Sequence, residues 1–384
     1  MEQLLNQTVK DLEISGIRKF FNLVGDRENM ISLTIGQPDF QTPDHIKEAA
    51  KHALDRNQTQ YTPNAGLLEL RQAISQFVAE KYSLSYQAEN EIIVTIGASQ
   101  AIDITLRTIL TPGDEVLLPG PVYPGYEPLI RLAGGVPKFI DTRETNFKLT
   151  ARQLEQAITD KTKCVILPYP SNPTGVTLTK DELKEISDLV AGKEIFLLAD
   201  EIYSELTYGT DHTSIGTFDN VRDQTFIVQG LSKSHSMTGF RLGYLLAPKN
   251  LQQHVLKVHQ YNVSCASSIS QHAAIEALTI GKNDSHTMRE AYLERRDFVL
   301  NRLHQMGIEV VSPDGAFYVF PKIPYGKISS FDFAMDLVNE ANLALVPGSS
   351  FSEYGEGYVR LSYAYHMDIL EEGLNRLEMF LKSK

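Results

Sequence analysis

The chain has 384 residues, of which 42% are hydrophobic and 22% charged, a composition typical of a folded globular protein and not of a disordered or fibrous one. Its formal net charge of −12 argues against nucleic acid or an anionic membrane surface as the main partner, so an anionic ligand would need a local cluster of basic side chains. The length exceeds what one hydrophobic core usually supports, and we therefore expect two closely packed lobes.

Neither a metal site nor a targeting segment is predicted. The two cysteines, Cys164 and Cys265, are too few for a disulfide framework and lack the paired spacing of a zinc site. The first residues lack the basic and apolar regions of a secretory signal, and no run reaches the ~18 apolar residues that a membrane span requires. A cytoplasmic location is therefore the expectation.

The chain is predicted to begin with a polar arm and then to form a large domain. Residues 1–44 are predicted to be the arm and part of a smaller domain, with a weak helical pattern of apolar residues at positions 14, 17, 20 and 21. Residues 45–285 alternate short apolar runs with amphipathic stretches, which predicts an α/β domain with a mostly parallel sheet flanked by helices. The predicted strands are 91–96, 115–118, 164–167, 195–199, 225–228 and 243–247.

A different pattern follows in residues 286–384, which are predicted to form a smaller α+β domain. A charged helix comes first, then short strands at 308–311 and 316–320, another helix, and a strand at 358–362. No flexible linker precedes this region, so we expect a helix to join the two domains.

Ligands of parallel sheets bind beyond the carboxyl ends of the strands, and four polar segments follow predicted strands here. The segment 97–100 has small residues and Ser99 before a helix, which would let backbone N–H groups approach a phosphate. Asn172 lies in the second segment, and Asp200 ends an apolar run in the third. Taken alone, these three segments are equally consistent with an ordinary turn, a helix cap or a buried ion pair.

The fourth segment, 230–241, is the most informative because it contains both Lys233 and Arg241. A lysine at the end of a buried strand, beside another cation, is expected to have a lowered pKa and a usable amine. Pyridoxal 5′-phosphate (PLP) chemistry needs such a lysine, an acid for the ring nitrogen, donors to the ring oxygen and a phosphate cradle. The four segments together supply all of these groups.

Six ordered motifs over nearly the full chain resemble the fold-type I PLP enzymes, specifically the class I aminotransferases. The resemblance implies a large PLP-binding domain with a mostly parallel seven-stranded sheet, a smaller α+β domain, and a homodimer. The motifs are Ile-Gly-Gln-Pro-Asp-Phe at 35–40, Tyr-Thr-Pro-Asn-Ala-Gly at 61–66, Ser-Asn-Pro-Thr-Gly at 171–175, Asp-Glu-Ile-Tyr at 200–203, Ser-Lys-x5-Gly-x-Arg at 232–241 and Arg-Leu-Ser at 360–362.

The resemblance also implies a role for each matching residue. Lys233 is the expected Schiff-base lysine and general base, and Asp200 is expected to pair with the ring nitrogen. Asn172 and Tyr203 are expected to bond the ring oxygen, and Tyr123 to stack on the ring. The implied phosphate contacts are Ala98, Ser99, Ser232, Arg241 and a Tyr61 reaching in from the second subunit, and the implied substrate contacts are Gly36, Asn172 and Arg360.

The chain departs from the family pattern at two positions: the first change is conservative, and the second bears on the substrate. Phe240 replaces a common tryptophan, and Ser99 stands where some similar bacterial aspartate aminotransferases have a lysine for the distal carboxylate. Residues 259–270 and 346–351 are similar to the Bacillus-type aminotransferase A group, which implies N-acetyl-LL-diaminopimelate as amino donor and 2-oxoglutarate as acceptor, in lysine biosynthesis.

Several alternatives remain open from the residues. An aspartate, aromatic or broad-specificity aminotransferase would use the same motifs, and so would a PLP carbon–sulfur β-lyase. The sensor half of a transcription factor would need a DNA-binding region of domain size, and only a short arm precedes the motifs. A nicotinamide dehydrogenase would need a G-x-G-x-x-G turn, which is absent.

Overall fold

The computed structural model describes residues 1–25, 27–326 and 328–384. Its α-helices are α1 (Gln7–Asp11), α2 (Gly16–Val24), α3 (Asp44–Asp55), α4 (Leu68–Tyr82), α5 (Gly97–Ile109), α6 (Tyr126–Leu132), α7 (Ala151–Ala157), α8 (Lys180–Val190), α9 (Leu231–Ser234), α10 (Lys249–Val263), α11 (Ser268–Thr279), α12 (Ser285–Gln305), α13 (Ser330–Ala341) and α14 (Met367–Ser383). Short 3-10 helices are Glu2–Leu4, Arg143–Thr145, Ile215–Thr217, Asp219–Gln224, Thr238–Phe240, Gly348–Ser350 and Glu353–Gly355. Among the described residues, no helix is both long and apolar enough to cross a membrane.

The large domain is built on a seven-stranded sheet, as predicted. Its strands are β2 (Ile92–Thr95), β3 (Glu115–Gly120), β4 (Val136–Asp141), β5 (Thr162–Leu167), β6 (Phe196–Asp200), β7 (Thr225–Gly230) and β8 (Gly243–Leu246), in the order β2-β8-β7-β6-β5-β3-β4. Five neighbouring strands pair in parallel, in the order β7, β6, β5, β3 and β4. The strand β8 runs antiparallel to both of its neighbours, β2 and β7. Helices cover both faces, so most strands are buried and form near-continuous apolar runs.

The strand β4 was missing from the predicted runs. It lies at the edge of the sheet, where only one neighbour pairs with it and most of its side chains are partly exposed. An edge strand of this kind tolerates polar residues and a proline, here Lys138 and Pro137, so it lacks the apolar signal of the central strands.

The smaller domain combines two short sheets with helices α12, α13 and α14. Strands β11 (Val346–Pro347), β12 (Val359–Ser362) and β9 (Tyr318–Val319) pair antiparallel, and β1 (Ile31–Ser32) pairs in parallel with β10 (Leu343–Ala344). The sequence boundaries at 44/45 and 285/286 stay predictions. The pairing of β1 with β10 shows that the segment after α2 lies in one sheet with residues some 310 positions later in the chain.

The predicted strand at 308–311 was wrong. Gly307, with a φ of 73°, ends α12, and the N–H of Ile308 donates to the carbonyl of Leu303 at 3.0 Å. This is the hydrogen-bond pattern of a helix C-cap, in which an apolar residue after the glycine packs back on the last turn. Ile308 is buried for that reason and not because it belongs to a sheet.

Candidate active site

A cavity of about 910 Å³ opens where the carboxyl ends of the sheet strands face the smaller domain. Eleven of the twelve residues predicted for the site line it: Gly36, Ala98, Ser99, Tyr123, Asn172, Asp200, Tyr203, Ser232, Lys233, Arg241 and Arg360. The exception is Tyr61, whose side chain is 89% exposed outside this cavity. The fold therefore brings together residues that are up to 324 positions apart in the chain, from Gly36 to Arg360.

Lys233 lies on the short helix α9 directly after β7, so its position follows from the end of a buried strand. Its Nζ donates a hydrogen bond to the carbonyl of Gly36 at 2.6 Å. Burial, and then the charges of Arg360 and Arg241, lower the pKa of Lys233 to about 8, although Asp200 opposes the shift. With that pKa, roughly a tenth of the amine is unprotonated at neutral pH, which suits a nucleophile or base.

Asp200 ends β6 and is almost completely buried. Its Oδ2 accepts a hydrogen bond from the Tyr126 hydroxyl at 2.7 Å, and its Oδ1 accepts one from the Ile202 N–H at 3.2 Å. Burial raises the pKa of Asp200, and the Tyr126 hydrogen bond partly offsets that rise. No ion pair involves this carboxylate among the described residues, so a cationic group brought by a ligand would complete it.

Arg360 lies on β12 and is 2% exposed. One amino group of its guanidinium donates to Asn172 Oδ1 at 2.9 Å, and the other donates to the carbonyl of Thr34 at 2.6 Å. The ring of Tyr318 lies 4.5 Å from the guanidinium carbon. Its Nε has no partner among the described residues, so the planar cation retains donor capacity for an anion entering the cavity.

An anion cradle is formed where β2 enters α5. Gly97 is the first residue of this helix, with a φ of 72°, and a Cβ there would lie 2.6 Å from Nη2 of Arg241. Only glycine allows the guanidinium to approach the N-terminus of the helix this closely. Ser99 and Ser232, which also line the cavity, add hydroxyl groups. Backbone N–H groups, hydroxyls and an arginine are the donors that bind phosphate.

Aromatic residues fix the remaining wall. The hydroxyls of Tyr203 and Tyr318 are 2.9 Å apart, and Tyr123 meets Tyr126 edge to face, with ring centroids 5.4 Å apart. A Cβ on Gly36 would lie 2.7 Å from the Tyr318 hydroxyl, so this glycine is required for the close approach of the two segments. Tyr123 remains 37% exposed toward the cavity, as a ring-stacking residue must be.

Sequence reasoning missed the residues that orient the predicted ones. Tyr126 was overlooked although it lies only three positions after Tyr123, and Tyr318 was counted as part of an apolar strand. Thr34 acts through its backbone carbonyl, which no side-chain pattern reveals. The helix α2 was predicted only as part of an arm, yet five residues around it line the cavity: Ser15, Ile17, Arg18, Phe21 and Asn22.

These residues fit PLP on grounds of their own chemistry. The cavity holds an amine of lowered pKa, an isolated buried carboxylate, a cradle for a phosphate and an exposed aromatic ring. Each matches one part of the cofactor: the aldehyde, the ring nitrogen, the phosphate and the ring face. Arg360 is left over by this match and is available to a substrate carboxylate.

Comparisons with known proteins agree with this chemistry. A sequence model of the family described as aminotransferase class I and II matches residues 28–377. A probable N-acetyl-LL-diaminopimelate aminotransferase from Bacillus subtilis (strain 168) is 62% identical over 384 residues, which cover 100% of this chain and 97% of that protein. An aromatic-amino-acid aminotransferase from Thermococcus litoralis is 41% identical, over 99% of each chain. The solved structure of Thermus thermophilus aspartate aminotransferase with maleate superposes with a TM-score of 0.93 at 35% identity, covering 98% of this chain and 99% of that chain.

Proposed function

The chain belongs to the class I and II aminotransferases, and we propose that it transfers the amino group of N-acetyl-LL-diaminopimelate to 2-oxoglutarate, a step of lysine biosynthesis. It is a PLP-dependent enzyme of the fold-type I architecture. The donor rests on the 62% identity to a relative whose name carries that substrate. Conversion of an amino acid and a 2-oxo acid is common to the family, whichever donor is used.

The assignment of the reaction type rests on one observation. Lys233 and Arg360 line the same cavity, and the Nε of Arg360 has no hydrogen-bond partner among the described residues. A free Nε on a buried guanidinium provides a site for the α-carboxylate, and the Lys233 amine, hydrogen-bonded to Gly36, has its pKa lowered to about 8. A substrate held by Arg360 would therefore present its Cα to Lys233 Nζ, which is the geometry that proton transfer at Cα needs.

When bound, PLP supplies an electron sink that stabilises negative charge at the substrate Cα. Lys233 would hold the cofactor, and its Nζ would be the atom that carries the α-proton of the substrate. Asp200 would keep a proton on the ring nitrogen, because a buried carboxylate favours a cationic neighbour. The hydroxyl of Tyr203 and the side-chain amide of Asn172 would donate hydrogen bonds to the ring oxygen. The hydroxyl of Tyr318 is hydrogen-bonded to that of Tyr203 and would orient it.

The remaining contacts would hold the two anionic ends. Ala98, Ser99, Ser232 and Arg241 would bind the phosphate at the N-terminus of α5, with Tyr123 against the ring. Arg360 would bind the α-carboxylate, oriented by Asn172 and the Thr34 carbonyl. Because every donor and acceptor has that carboxylate, this arginine would serve both halves of a ping-pong cycle.

The donor assignment predicts that acetylated LL-diaminopimelate is used at least as well as aspartate. Ser99 provides no positive charge for a short distal carboxylate, so aspartate should gain little from this wall of the cavity. The measurement is kcat/KM for a panel of donors at fixed 2-oxoglutarate, with an aromatic amino acid included. A strong preference for aspartate or for the aromatic donor would contradict the proposal, and release of pyruvate and ammonia from a cysteine conjugate would indicate a β-lyase instead.

We further propose that the active form is a homodimer in which Tyr61 serves the neighbouring subunit's site. Tyr61 is 89% exposed on the single chain, and Tyr261 is exposed to the same degree. Large aromatic side chains left in solvent are more typical of a subunit interface than of a free surface. Tyr61 is also the first residue of a motif that resembles the family, Tyr-Thr-Pro-Asn-Ala-Gly at 61–66.

Mixing Lys233→Ala chains with Tyr61→Ala chains tests the shared site. A mixed dimer has one site with both residues intact if Tyr61 acts across the interface, so random exchange should restore about a quarter of wild-type activity. Subunit exchange is verified by tagging one chain and purifying the mixed species. If verified mixed dimers are as inactive as the parents, Tyr61 does not serve the neighbouring site.

A further inference from the structure

A buried histidine lies two positions after Lys233, and the proposed function gives it no role. His235 is 2% exposed and is not among the described residues that line the cavity. Burying a polar ring costs free energy unless its nitrogens have hydrogen-bond partners. Both ring nitrogens of His235 have partners, and those partners indicate what the residue does.

The imidazole of His235 joins the end of helix α9 to a distant turn. Its Nε2 lies 3.0 Å from the carbonyl oxygen of Gly281, and its Nδ1 lies 2.8 Å from the hydroxyl of Ser234. Because a carbonyl can only accept, Nε2 carries the proton. Burial lowers the pKa of His235, so the ring is neutral and Nδ1 accepts from the Ser234 hydroxyl. The ring therefore links the residue after Lys233 to the turn 281–284, between α11 and α12.

The turn 281–284 is itself held in place by neighbouring elements. The carbonyl of Gly281 also accepts from the N–H of Asp284 at 2.8 Å. On the other side, the ring of His45 on α3 bonds to Asp284 at 2.8 Å and to Glu276 on α11 at 3.0 Å. A Cβ on Gly281 would lie 2.9 Å from His45 Cε1, so the backbone of the turn packs directly against α3. The turn is thus a fixed point to which α9 is bonded.

Helix α9 needs such a point because it is a single turn of four residues. The carbonyl of its first residue, Leu231, accepts from the N–H of His235 at 3.2 Å. One turn of helix orders several backbone dihedrals for one hydrogen bond, so it does not persist without tertiary contacts. Lys233 is the third residue of this turn, and its direction therefore depends on how α9 is held. The bond from His235 to Gly281 is a contact that fixes direction as well as distance.

We propose that His235 is a positioning residue for Lys233, which holds the amine where it reacts with PLP by bonding the end of α9 to the carbonyl of Gly281. This inference rests on the proposed function, in which Lys233 holds the cofactor. His235 acts through Lys233 and does not touch the ligand. A displacement of about 1 Å of a reacting group can cost about 100-fold in rate, which sets the size of the expected effect.

The test follows the attachment of PLP to the cofactor-free enzyme, so it does not depend on turnover. Attachment joins the Lys233 amine to the PLP aldehyde and releases water, and its rate at saturating PLP is read by stopped-flow absorbance. His235→Asn keeps an acceptor for the Ser234 hydroxyl but is too short to reach Gly281, and it should slow attachment by about 10- to 100-fold. His235→Gln has the same amide one methylene further out, where it can donate to Gly281, and should restore most of the rate.

Two controls separate positioning from a general disturbance of the cavity. In a Lys233→Ala background, PLP binds without a covalent bond, and adding His235→Asn should leave its Kd unchanged, because no lysine remains to be positioned. His304→Asn makes the same chemical change at an exposed site on α12, outside the cavity, and should attach PLP at the wild-type rate. His235→Leu removes both ring bonds without burying a new polar group and repeats the comparison, so the result does not depend on the folding of one variant.

An attachment rate in His235→Asn and His235→Leu equal to that of the wild type would overturn the proposal. A rate in His235→Gln as low as in His235→Asn would also overturn it, since the bond to Gly281 would then not matter. So would weaker PLP binding on adding His235→Asn to Lys233→Ala. The proposed function fails on other measurements, namely a borohydride label on a different lysine or the release of pyruvate and ammonia, and these do not involve the His235 variants.

Discussion

Replacing Lys233 with alanine should reduce kcat for transamination by more than about 10⁴-fold, since both the covalent hold on the cofactor and the base at Cα are lost. The fold should survive, because the amine makes one hydrogen bond, to the Gly36 carbonyl, and its burial already disfavours the charged form. The anion cradle around Gly97 and Arg241 is untouched by the substitution, so the variant should still retain PLP without a covalent bond.

Two measurements check this expectation. Borohydride reduction of the wild-type enzyme, followed by peptide mapping, should place the label on the peptide containing Lys233, and the alanine variant should take up no label. Lys249→Ala removes an exposed lysine at the start of α10 and should behave as the wild type. Labelling of any other lysine would show that the assignment of the cofactor lysine is wrong.

Asp200→Asn should lower kcat by about 10³-fold while changing PLP affinity much less, since a neutral amide cannot keep the ring nitrogen protonated in a buried site. The amide has the same shape and can still accept the Tyr126 hydrogen bond, so the loss reports the charge and not a cavity. Asp188→Asn is the control for the same chemical change, because Asp188 is exposed on α8 and bonds to Lys184, away from the cavity. Turnover near the wild-type rate would contradict the ring-nitrogen role.

The substitution Asp200→Asn should also change how the stability of the cofactor-free enzyme depends on pH. Burial raises the pKa of Asp200 in the fold, so the folded chain holds that proton more tightly than the unfolded chain does. Asp200 therefore contributes stability at low pH, and this contribution is lost as the pH rises through the raised pKa. Above that pH, the cofactor-free Asp200→Asn protein should be at least as stable as the wild type in thermal melts. PLP should reverse the order by pairing with the carboxylate of the wild type.

The sequence by itself determined the elements whose signal is local. Central strands appear as short apolar runs because both faces of a covered parallel sheet are buried, and six of the seven strands were located in this way. Residues that directly follow those strands converge at one edge, so Lys233, Asp200 and Asn172 could be assigned to a common site before any distance was known. Resemblance to a family then supplied the identity of the cofactor, which spacing alone does not give.

Only the tertiary structure decided which partners orient those residues. Lys233 meets the Gly36 carbonyl 197 positions away, and Arg360 meets Asn172 across 188 positions. Such hydrogen bonds depend on how two domains pack, and no periodicity in the chain encodes a contact between segments so far apart. Tyr126 and Tyr318 could not be assigned to the site from the sequence for the same reason. Each orients a site residue through a hydrogen bond from another part of the chain, Tyr126 to Asp200 and Tyr318 to Tyr203.

The clearest case is helix α2. Its apolar pattern at positions 14, 17, 20 and 21 predicted a helix but not which face would be covered, and two of these residues, Ile14 and Phe21, are more than half exposed. Phe20 is buried because α13 and β10 offer it an apolar surface, and that packing turns Ile17, Phe21 and Arg18 toward the cavity. A helix pattern fixes the angle between side chains, whereas the partner surface fixes the rotation of the whole helix, and only the folded chain supplies that partner.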